Sequence, residues 1–283
     1  MNIFTTKTAL SAGLQQVRQN GQTVALVPTM GALHTGHLSL ISQARKAADS
    51  VVCSIFVNPT QFNDPADLAA YPRPVEQDIA LLREAGCDIL FMPEVTEMYS
   101  ADEQWQLDLD GLDTVLEGAQ RPGHYQGVTQ IVKKLFDAVQ PDVALFGQKD
   151  YQQYLVICHM IAKLQLPVRP ELCPTVREPG GLAMSSRNVR LSDKGRQQAL
   201  ALYQMLTMVI SQAWQKPLPE VLQDARYLLQ TADGVTPEYV AICDADTLTE
   251  LHSWPAEKKR LIVLTAARVE GVRLIDNMLI EIS

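Results

Sequence analysis

The chain has 283 residues, with 24 Lys and Arg against 32 Asp and Glu, giving a net charge of −8. Its 47% hydrophobic content excludes a disordered chain, and its acidity excludes a general nucleic-acid surface while leaving room for a local basic pocket. No apolar run is long enough to span a bilayer, and no basic-then-apolar leader is evident, so neither a membrane protein nor a secreted one is expected. The five cysteines (Cys53, Cys87, Cys158, Cys173, Cys243) form no C-x-x-C pair and read as reduced core residues of a cytoplasmic protein.

Residues 6–20 are expected to form a helix that Asn20-Gly21 ends. Val24–Val27 is a continuous apolar run suited to an interior strand of a parallel sheet; Pro28, with no N–H to donate, is expected to end it. The following turn carries Gly31 and Gly36, which permit close approach of a ligand. From about Gly36 the spacing of Leu38, Ile41 and Ala44 turns helical. His34 and His37 therefore fall just before and just inside a helix N-terminus, where unpaired amides and the positive end of the dipole suit a phosphate. Two other readings stand beside that one. The histidines of a plain βα turn would merely cap and hydrate. A zinc pair would lack both the H-E-x-x-H pattern and a nearby Cys or acidic ligand.

Val51–Val57 is a second apolar strand, and Asn58–Phe62 is the turn at its carboxyl end, where open parallel sheets line their ligand crevice. Gln61 in that turn reads first as an ordinary loop amide. A helix over Val75–Ala85 follows Pro72 and Pro74, and a third strand covers Asp88–Met92. Within 97–126, WQLDLDGL reads as a short strand with a turn. EGAQRPGHYQGV, with Arg121 and His124, reads as a substrate loop, a structural His124 being an equal alternative. Val128, Ile131, Val132, Leu135, Phe136 and Val139 keep strict helical spacing. A fourth strand, Asp142–Phe146, runs into Gly147-Gln148-Lys149-Asp150 and a helix through Tyr154 and Ile157. Lys149 and Asp150 are a solvated pair on one reading and ligand groups at the sheet's edge on the other.

After a strand over Val168–Leu172 the pattern changes. The turn cluster Glu178–Gly181 leads to Met184-Ser185-Ser186-Arg187-Asn188, where two hydroxyls beside a guanidinium suit phosphate oxygens. A helix capped by Ser192 buries Ala199, Leu202, Leu206, Val209 and Ala213, and a second covers about 219–230. Strands are expected at Tyr239–Cys243, Arg260–Ala267 and Arg273–Ile282. The order of elements predicts an α/β parallel-sheet domain over 1–175 and a smaller α+β domain over 176–283. No G-x-G-x-x-G follows the first strand, which disfavours a dinucleotide oxidoreductase.

Seven segments carry a resemblance: PTMGALHTGH (28–37), FVNPTQF (56–62), YPR (71–73), EGAQRPGHYQGV (117–128), FGQKDYQQ (146–153), MSSRN (184–188) and LIDN (274–277). In this order they resemble the pantothenate synthetase (pantoate–β-alanine ligase) family over nearly the whole chain. H-x-G-H alone marks only the wider nucleotidyltransferase superfamily, which also contains class I aminoacyl-tRNA synthetases. One departure is Gln148, where family members often carry Glu; Lys149 and Asp150 match.

The resemblance implies a Rossmann-like first domain, a lid-like second domain and a homodimer. It implies ligation of pantoate to β-alanine at the expense of ATP with Mg²⁺, through a pantoyl adenylate, releasing AMP and pyrophosphate. Met30, Gly31, Ala32, Leu33, His34, Thr35, Gly36 and His37 would cradle ATP, with His37 catalytic. Gly147, Gln148, Lys149, Asp150, Val176, Met184, Ser185, Ser186 and Arg187 would complete the nucleotide site. Gln61 and Gln153 would hold pantoate, Gln61 also lying near β-alanine. No protein metal ligands, nucleic acid or membrane are implied. Three rivals rank below this reading. A nucleotidyltransferase that stops at adenylylation would need no amine, and an ATP sensor would show no turnover. An aminoacyl-tRNA synthetase is disfavoured by the acidic charge.

Overall fold

The apolar runs of the first half become one parallel sheet. In a computed structural model, which describes residues 1–63, 65–100, 103–257 and 259–280, the strands are β1 (Asn2–Phe4), β2 (Val24–Thr29), β3 (Ser50–Ile55), β4 (Ile89–Phe91), β5 (Val143–Gly147) and β6 (Arg169–Cys173). Their order is β1-β4-β3-β2-β5-β6, every pairing parallel. The helices between them are α1 (Lys7–Gln19), α2 (Thr35–Ala47), α3 (Pro65–Ala70), α4 (Val75–Glu84), α5 (Val95–Met98), α6 (Leu116–Gln120), α7 (His124–Val139) and α8 (Tyr151–Lys163). They cover both faces, so β3 is buried along its whole length. Side chains of β2 alternate accordingly: Val24 and Leu26 join Leu10, Phe91 and Val132 on one face, Ala25 and Val27 join Ile41, Leu82 and Leu145 on the other.

The chain builds outward from β2 through β3 to β4, then returns to β2's other side with β5 and β6. This reversal makes the carboxyl ends of β2 and β5 the topological switch point, where open α/β sheets bind their ligands.

The second unit folds around its own core. It comprises Lys149–Tyr151 and the chain from Thr175 onward; the first comprises Met1–Gln148 and Gln152–Pro174. Its sheet is antiparallel, in the order β7 (Val235–Asp244), β8 (Leu261–Val269), β9 (Val272–Ile280). Helices α9 (Asp193–Gln212) and α10 (Leu218–Thr231) bury Leu202, Leu206, Val221 and Leu229 with Ile242 and Val263 of the sheet. The six-stranded parallel sheet and the small antiparallel one are the α/β and α+β classes expected.

Several elements differ from the sequence reading. β2 continues through Pro28 to Thr29, because β5 pairs only with Ala25 and Leu26, so no ladder on that side needs a proline N–H. In α2 the buried face is Leu40, Ile41 and Ala44 rather than Leu38, Ile41 and Ala44. WQLDLDGL forms no strand, and EGAQRPGHYQGV is α6 and the start of α7 rather than a loop. β1, α3 and α5 carried no sequence signal strong enough to read. Of the expected last strand, residues 281 and 282 lie outside the described residues.

Candidate active site

The turn after β2 is held from two sides. His34 is the N-cap of α2, and its Nδ1 accepts the Gly36 N–H at 3.1 Å. His37, in the first turn, returns the bond: its Nδ1 accepts the His34 N–H at 3.3 Å, a capping box made of two imidazoles. An Nδ1 that accepts carries no proton, so the neutral rings are protonated on Nε2. The rings lie 4.1 Å apart, centroid to centroid, at the positive end of a 13-residue helix. The two imidazoles thus stand at the mouth of a helix, a position whose dipole and amides favour an anion.

Behind the turn, Asp78 of α4 is buried, and its carboxylate accepts Ala32 N–H and Leu33 N–H, both at 2.8 Å. Burial raises the pKa of Asp78 above the usual carboxylate value, against the pull of those two amides. Gly31 has φ +79°, and a Cβ there would approach Asp78 Oδ2 to 2.9 Å, so the position demands glycine. Ala32 holds φ +51° without that freedom, a conformation costing about 1–2 kcal/mol.

Gln61 sits in a 3-10 turn, Pro59–Gln61, after β3, and is buried. Tyr99 donates to Asn58 Oδ1 at 2.6 Å, which points Asn58 Nδ2 toward Gln61 Oε1 (3.2 Å) and Gly127 O (3.0 Å). Gln61 Oε1 is thus the acceptor and Nε2 the donor, the latter reaching Met30 Sδ at 3.0 Å. His124, the first residue of α7, is buried, and its Nδ1 meets Gln61 O at 2.8 Å. A carbonyl only accepts, so this ring is protonated on Nδ1 and its Nε2 faces Arg121 Nη1 at 3.2 Å. Gly127 lets α7 lie against this turn; a Cβ there would come within 2.5 Å of Thr60 O.

In the second unit a second group of residues is ordered by its own contacts. Asn277 Nδ2 donates to Lys149 O at 2.9 Å, and Lys149 Nζ lies 3.6 Å from Asp150. Asp276, beside it, is buried and paired with Arg177; burial raises its pKa while the guanidinium opposes the rise. Met184 N–H donates to Val176 O at 2.9 Å, and Ser185 caps the turn Ser186–Arg190 by accepting Arg187 N–H at 3.2 Å. Asn188 is structural, its amide donating to Glu178 and to Ala183 O.

The first unit therefore brings Met30–His37 together with Gln61, and places Gly147 and Gln148 at the end of β5 and the half-buried Gln153 on α8. The second contains Lys149, Asp150, Val176 and Met184–Arg187, of which Val176 and Met184 are joined by a backbone hydrogen bond. Sequence reasoning missed Asn58, Tyr99 and Asp78. Asp78 had a signal: it shares the buried face of α4 with Leu82, four residues on. Burial pushes the thiols of Cys87 and Cys173 to about 11 and Cys243 to about 12, so none is a ready nucleophile. Among the described residues no group of three or more His, Cys, Asp or Glu side chains could hold a metal ion, and no helix is long and apolar enough to cross a membrane.

A family model described as pantoate-beta-alanine ligase matches residues 2–279. A pantothenate synthetase of Cytophaga hutchinsonii is 45% identical over 271 residues, covering 94% of this chain and 95% of the relative. The crystal structure of pantothenate synthetase from Thermus thermophilus superposes with a TM-score of 0.92 at 42% identity, covering all of both chains. That of the Francisella tularensis pantoate-beta-alanine ligase, complexed with beta-gamma ATP and beta-alanine, gives 0.80 at 31% identity, covering 100% of this chain and 99% of that one.

Proposed function

This chain belongs to the pantoate–β-alanine ligase family, and on that premise we propose that it makes pantothenate in two steps through a pantoyl adenylate. In the first step the pantoate carboxylate attacks the α-phosphorus of ATP; the bond to the β-phosphate oxygen breaks and pyrophosphate leaves. In the second, the β-alanine amine attacks the acyl carbon and AMP departs. The single observation that carries the first step is the imidazole capping box at the mouth of α2.

Both reactants of adenylation are anions, so charge must be offset and the attack aligned. His34 and His37, protonated on Nε2, would donate to phosphate oxygens, with His37 as the catalytic donor. Met30–His37 with Gly147 and Gln148 would hold the nucleotide. Lys149, Asp150, Val176, Met184, Ser185, Ser186 and Arg187 would contribute the remaining contacts. Gln61 and Gln153 would hold pantoate, and Gln61 would also lie near β-alanine. The Gln61 amide, its orientation fixed by Asn58, would discriminate against acids lacking pantoate's hydroxyls. Magnesium would arrive on the triphosphate as part of the substrate, offsetting phosphate charge; no step is assigned to a metal held by the protein.

The acyl adenylate must meet an amine before water reaches it, and the second unit is the proposed lid. The family resemblance also supports reading the chain as a cytoplasmic homodimer. The experiment that tests the mechanism is incubation with ATP and pantoate alone. Exchange of labelled pyrophosphate into ATP is expected without β-alanine. Exchange only in its presence would overturn the discrete adenylate.

A further inference from the structure

We propose that Asp78 is a positioning residue for the adenylation step, holding the turn between β2 and α2 in the shape that aims the two imidazoles. The inference rests on the reading that this turn receives ATP. Nothing in the chemistry of that reading requires a carboxylate here, beside a site for a triphosphate. Yet Asp78 is almost fully buried, on the far side of the turn from solvent, and both its oxygens accept backbone N–H groups, from Ala32 and Leu33, at 2.8 Å. Those two residues immediately precede His34, so the carboxylate fixes the peptides that set where the N-cap begins. The arrangement is specific to an ionised carboxylate. Two converging donors need two acceptors, and a carboxamide offers one oxygen and turns its own N–H₂ group on the other donor.

The surroundings reinforce the constraint. Ala32 stays at φ +51°, where an L-residue gains nothing locally, and Gly31 packs so closely on Asp78 Oδ2 that a Cβ would stand 2.9 Å away. Leu82, one turn along α4, is fully buried and anchors the helix that carries the carboxylate. A displacement of about 1 Å in a catalytic group costs on the order of 100-fold in rate, so a support this tight is worth a comparable factor.

The test is Asp78→Asn in the full chain, assayed for pyrophosphate exchange and for overall pantothenate formation. The exchange rate is expected to fall about 10–100-fold with the KM for pantoate within about twofold of wild type. Leu14→Ala, in the core of the sheet's other face, is the control for mere destabilisation: its melting temperature should fall at least as far, with its rate within about threefold. Gly31→Ala disturbs the same contact from the turn and keeps the question open to experiment should Asp78→Asn fold poorly. It should show the same rate loss at unchanged pantoate KM, and the double variant should be no slower than the worse single one.

Full exchange in Asp78→Asn, a parallel rise in pantoate KM, an equal rate loss in Leu14→Ala, or additive losses in the double variant would each overturn the proposal. Should wild-type enzyme form pantothenate without separable exchange, the two-step reading fails on its own. The Asp78 comparison is then read from overall turnover.

Discussion

At the scale of single residues, the site is written in the protonation of three histidines. His34 and His37 accept backbone N–H bonds on Nδ1 and so keep their proton on Nε2, whereas His124 faces a carbonyl and keeps its proton on Nδ1. On the proposed mechanism the first two would donate to the triphosphate; the third is a bracket for Gln61. His37→Ala should therefore lower the rate of pyrophosphate exchange roughly 10²–10³-fold, the scale for losing one charge-stabilising donor, with the melting temperature little changed. Exchange near the wild-type rate would remove His37 from the chemistry. Gln61→Ala acts elsewhere: it should raise the KM for pantoate far more than that for ATP, and an equal rise in both would take Gln61 out of the acid pocket. The proposed role of Gln61 is not legible from its turn alone, where an ordinary amide is the better reading. What distinguishes it is burial and a fixed amide orientation, both supplied by residues 38 and 63 positions further along the chain, Tyr99 and His124 acting through Asn58 and the Gln61 carbonyl.

At the scale of elements, local signals were legible where one residue type does one job. Ser192 caps α9 as expected, accepting Gly195 N–H at 3.0 Å. The same cap has a second tie that no local pattern reveals. Glu270, on the two-residue turn joining β8 to β9, accepts both the N–H and the hydroxyl of Ser192, which holds its carboxyl below the ordinary value of 4.5. Glu270 and Gly271 both have positive φ, the geometry of a two-residue hairpin turn whose usual signature is Asn-Gly rather than Glu-Gly. Because the folded carboxyl is the stronger acid, its contribution is present above about pH 4.5 and is lost as pH falls through the lowered folded value. Glu270→Gln should thus melt below wild type at pH 7, and the gap should close in acid; a gap constant from pH 7 to pH 3 would refute the link.

At the scale of the whole molecule, the buried runs and helical spacings were enough to read most of both sheets and all the long helices. Short elements such as β1 and α3 escaped, since three to six residues carry too little periodicity. Pairings across the chain escaped as well: Asp78 with Ala32, and Asn277 with Lys149, are separated by 46 and 128 residues. That last pair has an engineering consequence. Lys149–Tyr151 lie between β5 and the body of α8, yet their contacts are with the later chain: Asn277 takes the Lys149 carbonyl, and the Tyr151 hydroxyl donates to Ala245 O at 3.0 Å. An isolated fragment beginning at Thr175 would lack this tripeptide, although it belongs to the same unit. Expression of the second unit alone must therefore bring three residues from the middle of the chain along with everything from 175 onward.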